Sequence, residues 1–124
     1  MAALELSSSR HGDRTVLHVS GELDIISRAE LITCLDKVIK QHGGKIILDL
    51  TGLDFMDTSA LSTVVSYWKR LTTTEGGFLA LAGAQYRTSR VLWITGLAQR
   101  LPMYDDVAAA LADTETRSAA DDAS

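Results

Sequence analysis

Cysteine occurs once in this chain of 124 residues, at Cys34, so no intramolecular disulfide and no cysteine-built zinc site can form. The apolar-periodic residues around it suit a buried thiol better than a redox sensor. Basic charge is also scarce. Twelve Lys and Arg stand against sixteen Asp and Glu, for a net charge of −4. Four carboxylates and one arginine of that balance lie in the last twelve residues, which leaves residues 1–112 close to neutral. No basic stripe is available to displace counterions from phosphates, so nucleic acid is not an expected partner. Apolar runs fall well short of the roughly 20 residues that span a bilayer. The opening MAALELSSSR lacks a basic start followed by an apolar stretch, so it does not read as a signal peptide. A soluble cytoplasmic domain, with no membrane partner, is the expectation.

The devices of common enzymes are missing as well. Gly21, Gly43, Gly44, Gly76 and Gly77 act as punctuation, and no phosphate-cradling loop of the Walker or dinucleotide kind is present. No serine lies in a Gly-x-Ser-x-Gly elbow, which excludes an α/β-hydrolase. A receiver domain needs an acidic cluster and a late lysine at a strand end. Lys69 falls mid-helix and the cluster is absent. Nothing in the spacing of His11, His18 and His42 clusters them, so no metal site is expected and His18 reads as a strand residue with an ordinary hydrogen-bond partner.

What remains is a chain that is 46% hydrophobic and 23% charged, enough to bury the core of one domain. Residues 4–7 and 15–20 read as strands, with His11-Gly12-Asp13-Arg14 as the turn of a β-hairpin. Gly21-Glu22-Leu23-Asp24 reads as a loop. Ser27-Arg28-Ala29-Glu30 fits a capping box for a first helix carrying Leu31, Ile32, Leu35, Val38 and Ile39 at helical spacing. Gly43-Gly44 ends it. Lys45-Ile46-Ile47-Leu48-Asp49-Leu50 is nearly continuous in apolar residues, as a central parallel strand is. A second helix starts near Asp57 and buries Leu61, Val64, Val65, Trp68 and Leu71. Residues 78–82 form the next buried strand and 87–95 a short third helix. Asp105-Asp106 caps a last helix, Val107 to Ala112. The expectation is therefore an α/β domain over residues 1–112, a mixed four- to five-stranded sheet with about four helices packed against it. An acidic disordered tail is expected over 113–124. Trp68 and Trp93 read as core or interface anchors, and Arg87, Arg90 and Arg100 as solvated charge.

One segment, Leu53-Asp54-Phe55-Met56-Asp57-Thr58-Ser59-Ala60-Leu61, supports two readings. It is a plain helix start, with Asp57 as N-cap and Thr58 and Ser59 in the first turn. On the residues alone the helix start is the favoured reading, and the alternative is that Ser59 sits at the second helical position, where backbone N–H groups and the positive dipole end would receive a phosphate. A phosphoryl group there adds nearly two negative charges to a neutral surface. Asp57 is adjacent, and Asp24 could face it from the end of another strand, to orient the hydroxyl or repel the phosphoester.

Gly21-Glu22-Leu23-Asp24 after a strand, followed by a helix and then ILDLTGLDFMDTSAL, closely resembles the bacterial anti-sigma factor antagonists of the STAS-domain family. The likeness runs from about residue 4 to 112 and includes Ser89…Gly96-Leu97 and Tyr104-Asp105. It implies that Ser59 is a phosphoacceptor with Asp24, Asp57 and Thr58 as neighbours, and that Asp24, Thr58, Ser59, Ala60 and Ser62 meet a partner. Ala60 stands where the family commonly has glycine, and Thr58 where it commonly has serine. Alanine favours the helix by roughly 1 kcal/mol over glycine. The implied function is partner switching. The unphosphorylated protein binds an anti-sigma factor that is also an ATP-dependent serine kinase, a sigma factor is released, and phosphorylation ends binding until a serine phosphatase resets it. On this reading the chain is no enzyme and needs no cofactor, since ATP and magnesium belong to the kinase. The alternative is a non-switching STAS module in a signalling scaffold or a transport-associated complex, and a serine at position 59 favours the switch. A small-ligand binder has no visible cradle.

Overall fold

The computed structural model describes residues 3–123, with side chains through Glu115. Strand β1 (Glu5–His11) turns through Gly12-Asp13 into β2 (Arg14–Leu23), antiparallel, with Gly12 at φ 67°. That positive φ is the reason a glycine opens the two-residue turn. Helix α1 (Arg28–His42) leads to β3 (Lys45–Asp49), which lies parallel to the first half of β2. A short strand, β4 (Leu53–Met56), lies parallel to the last residues of β2, Gly21–Leu23, across a register shift at Gly21/Glu22. Helix α2 (Thr58–Thr72) leads to β5 (Phe78–Ala82), parallel to β3. Helix α3 (Arg90–Ile94) and a 3-10 turn (Leu97–Gln99) lead to β6 (Met103–Tyr104), parallel to β5, and α4 (Val107–Ala123) closes the chain.

The sheet order is β1-β2-β3-β5-β6, with β4 paired to β2, so six strands form where four or five were expected. The additional pairings come from β4, read from sequence as connecting chain, and from two-residue β6. Both are too short to carry a periodic signal. Gly21-Glu22-Leu23 is also strand rather than loop, because β4 supplies its backbone partners.

Period-two alternation divides the strands between two cores. Leu17, Val19, Ile46, Leu48, Leu79 and Leu81 face α1, α2 and α3, meeting Leu31, Leu35, Leu61, Val64 and Leu92. Val16, Ile47, Phe78, Ala80 and Ala82 face α4 through Ala110, Val107 and Leu111. Right-handed crossovers place the first three helices on one side. Each fully buried leucine contributes on the order of 1.5–3 kcal/mol. Helix α4 lies over β3, β5 and β6 and reaches β2 at Arg14 and Val16, while His18 on the same face of β2 stays partly exposed.

Three helix details differ from expectation. Ser27 does not form a capping box with Glu30, for its side chain makes no cap hydrogen bond. Its hydroxyl is engaged by the Glu22 carbonyl at 2.9 Å and the Asp24 N–H at 3.0 Å, so Asp24 takes over the turn. Residue 67 is a buried tyrosine that links α2 to α1 by donating to Asp36 at 2.5 Å. Burial and that carboxylate push its phenol up to about 12. Helix α4 continues past Ala112, through the segment expected to be an unstructured tail. Thr114 is fully buried, and the buried Arg14 donates to its hydroxyl at 3.2 Å and to the Leu111 carbonyl, which extends the docked helix by a turn. Among the described residues no helix is long and apolar enough to cross a membrane.

Candidate functional site

Strands β2 and β4 end side by side, and α2 begins where β4 stops. Asp57 joins the three. Its N–H donates to the Leu23 carbonyl at 3.2 Å. One carboxylate oxygen accepts the Ala60 N–H at 2.9 Å as a helix cap, and the other accepts the Ile25 N–H at 3.0 Å. The cap expected at Asp57 is present, and the same side chain also pins the loop after β2 to the helix start.

Asp24 acts more locally. Its Oδ1 accepts the N–H groups of Ile26 at 3.0 Å and Ser27 at 2.9 Å. The Ser27 N–H foremost, then the Ser27 hydroxyl and the Ile26 N–H, hold this carboxyl below its ordinary value against the opposing effect of desolvation. Asp24 precedes Ile25 in the chain and Asp57 accepts the Ile25 N–H, and both carboxylates are occupied by backbone amides. Neither is hydrogen-bonded to Ser59, so they build the platform and do not orient the hydroxyl.

Ser59 is the second residue of α2 and half-buried. Among the described residues its hydroxyl has no hydrogen-bond partner, while its carbonyl accepts from Thr63 at 3.2 Å. The N–H groups of Thr58 and Ser59 have no intrahelical acceptor, as at any helix start. Thr58 is exposed. Ser62 is exposed too, and turns its hydroxyl back to the Thr58 carbonyl at 3.0 Å. Ala60 departs from the expectation of a partner contact. It is fully buried in the core, since α2 directs residues 60, 61 and 64 toward the sheet.

The sequence reading missed the apolar residues around this platform. Ile25 is 62% exposed, Ile26 85% and Phe55 46%. Their signal was present as two adjacent isoleucines after Gly-Glu-Leu-Asp, where a helix approach needs no large apolar side chain. Beside Thr58, a groove of about 510 Å³ runs between α2 and the α3 end, lined by Leu61, Ser62, Val65, Thr95 and Leu97. Farther along, Tyr86 and Trp93 meet edge-to-face at 5.6 Å with Arg90 beside the tyrosine ring. Trp93 is thus exposed at the surface, while Trp68 is half-buried. Asp106 caps α4 through the Ala109 N–H at 2.8 Å. Cys34 is half-buried, and burial pushes its thiol up, away from the reactive thiolate.

The geometry can be set beside known proteins. The STAS domain family model matches residues 6–110. The chain belongs to the STAS domain family. This STAS domain is 29% identical over 113 residues to a curated protein named anti-sigma F factor antagonist from Paenibacillus polymyxa, covering 90% of this chain and 96% of that protein. Its fold matches the crystal structure of an anti-sigma factor antagonist from Mycobacterium paratuberculosis with a TM-score of 0.79, at 20% identity over 90% of this chain and 93% of that one. It also matches the Bacillus cell fate determinant SpoIIAA in its phosphorylated form, with a TM-score of 0.67 at 22% identity over 90% of this chain and 99% of that one.

Proposed function

We propose that this STAS domain is an anti-sigma factor antagonist switched by phosphorylation of Ser59. The unphosphorylated protein binds an anti-sigma factor that is also an ATP-dependent serine kinase, and a sigma factor is thereby released. The kinase modifies Ser59, the product no longer binds, and a serine phosphatase restores the hydroxyl. The observation that carries the reading is the unpartnered Ser59 hydroxyl at the start of α2, a helix whose cap Asp57 also holds the amide of the exposed Ile25. Similarity to a protein named anti-sigma F factor antagonist supports the partner class, and the phosphorylated form of SpoIIAA supports the modification.

The switch follows from electrostatics. A neutral hydroxyl can be covered by a partner together with the apolar residues around it. A phosphoryl group is accommodated in the free protein by solvent, the dipole and the open N–H groups of the first turn. Under a partner it must shed its hydration beside Asp57, and an uncompensated buried charge is strongly unfavourable. Three orders of magnitude in affinity require only about 4 kcal/mol.

The test uses Ser59→Ala and Ser59→Asp proteins as baits for lysate of the source organism, with retained proteins identified by mass spectrometry. The expected result is a serine kinase held by the alanine bait and lost from the aspartate bait, which phosphorylates the wild type at Ser59 when ATP is added. Equal retention of the same proteins by both baits overturns the switch and makes the domain a constitutive interaction module.

A further inference from the structure

The partly exposed side of the β1–β2 hairpin holds a connected chain of polar side chains remote from α2. Ser9 on β1 accepts or donates to two imidazoles at once: its Oγ lies 3.0 Å from His11 Nε2 and 3.2 Å from His18 Nε2. The opposite nitrogen of His18, Nδ1, lies 2.8 Å from Asp49 Oδ2 at the end of β3. Two-residue turn geometry produces this meeting. Pairing His11 with Arg14, Ser9 with Val16 and Ser7 with His18 puts the odd residues of β1 and the even residues of β2 on one face. Parallel pairing of His18 with Asp49 adds the carboxylate. Helix α4 meets β2 at Arg14 and Val16, and beyond them the His18 side chain is 40% exposed.

We propose that His11 and His18 form a surface site for a divalent transition-metal ion of the zinc type. Both Nε2 atoms converge on one small volume, now filled by the Ser9 hydroxyl. A rotation about the Ser9 Cα–Cβ bond vacates it, and a shift of about 1 Å in each ring reaches the ~2.0–2.1 Å of a zinc–imidazole bond. His11 is the last residue of its strand, beside the turn. The carboxylate supplies the feature that separates this arrangement from two histidines in chance proximity. Asp49 accepts the Nδ1 proton of His18, which fixes the tautomer with its Nε2 lone pair directed at the site, and a carboxylate behind the ligating imidazole is the usual outer partner of metal-bound histidine. Imidazole donors favour zinc, copper and nickel over magnesium or calcium. Among the described residues no three His, Cys, Asp or Glu side chains converge, so the chain supplies two ligands and water completes the shell. The third histidine, His42, is exposed at the end of α1 and serves as an internal control.

The experiment is calorimetric titration of the whole protein with zinc chloride, repeated on single variants whose folding is checked by thermal melting in chelator. Wild type is expected to bind one ion saturably. His11→Gln and His18→Gln each weaken binding at least tenfold, Asp49→Asn about tenfold, and His42→Gln leaves it unchanged. Ser9→Ala, which removes the occupant of the site, retains binding. No saturable binding by wild type, undiminished binding by either His11→Gln or His18→Gln, or loss of binding in His42→Gln overturns the proposal. None of these outcomes depends on Ser59 or on its partner.

Discussion

Two helix starts flank the candidate site, each governed by an aspartate, and they are built differently. At α1, Asp24 bonds residues two and three positions along its own chain. At α2, Asp57 caps its own helix and reaches the Ile25 amide across a separation of 32 residues. One aspartate shapes a turn; the other joins two parts of the fold. The consequence is that α1 approaches through a turn with two exposed isoleucines, while α2 is a rigid end with a free hydroxyl.

The largest break in that contrast is a charge placed on the rigid end. Ser59→Asp is expected to weaken binding to the anti-sigma partner by about 1,000-fold, roughly 4 kcal/mol, while Ser59→Ala retains it, both read by calorimetry with the captured partner. Equal affinities would separate the α2 start from the switch altogether. Next comes Asp57→Ala. Losing an N-cap lowers unfolding stability in urea by about 1–2 kcal/mol, and the Ile25 amide, deprived of its acceptor, exchanges with solvent faster. A slow Ile25 amide in that variant would deny the cross-chain tie. Ile26→Ser probes the other start. As an exposed side chain it should alter stability by less than about 0.5 kcal/mol, while weakening the partner about tenfold, or ~1.4 kcal/mol.

The smallest effect is at Asp24. Its carboxyl lies below its ordinary value when folded, chiefly through the Ser27 N–H. A depressed folded value means the contribution is present above the unfolded value of about 3.9 and is lost as pH falls through the folded one. Asp24→Asn should therefore lower stability slightly at neutral pH and converge with wild type below about pH 4, flattening the acid side of the stability profile. An unaltered acid profile would remove Asp24 from the account.

Local features were the legible ones. Asp57 and Ala60 are three residues apart, so the cap could be read from the chain, as could Ser59 at the second helical position. Ser27 and Glu30 matched a local pattern equally well, but the Glu22 carbonyl and Asp24 amide, out of the pattern's reach, claimed the serine. Strand β4 was hidden because its identity comes from pairing with β2, and its four residues alternate too briefly to show it. The buried place of Ala60 could have been read beside Leu61 and Val64, had the motif not drawn attention outward. The meeting of His11 and His18 is a matter of register. Spacing along the chain conceals it, whereas the Gly12-Asp13 turn, already recognised, dictates it.

The forked pairing of β2 bears on speed. Its first half is zipped to β3 and its last residues to β4, and the Asp57 N–H closes the fork on Leu23. Helix α2 therefore cannot slide along the sheet without unzipping a strand. Under the proposed switch, a phosphoryl group added at Ser59 would sit on a scaffold that needs no strand to unzip, and the tempo of response would then be set by the proposed kinase and phosphatase.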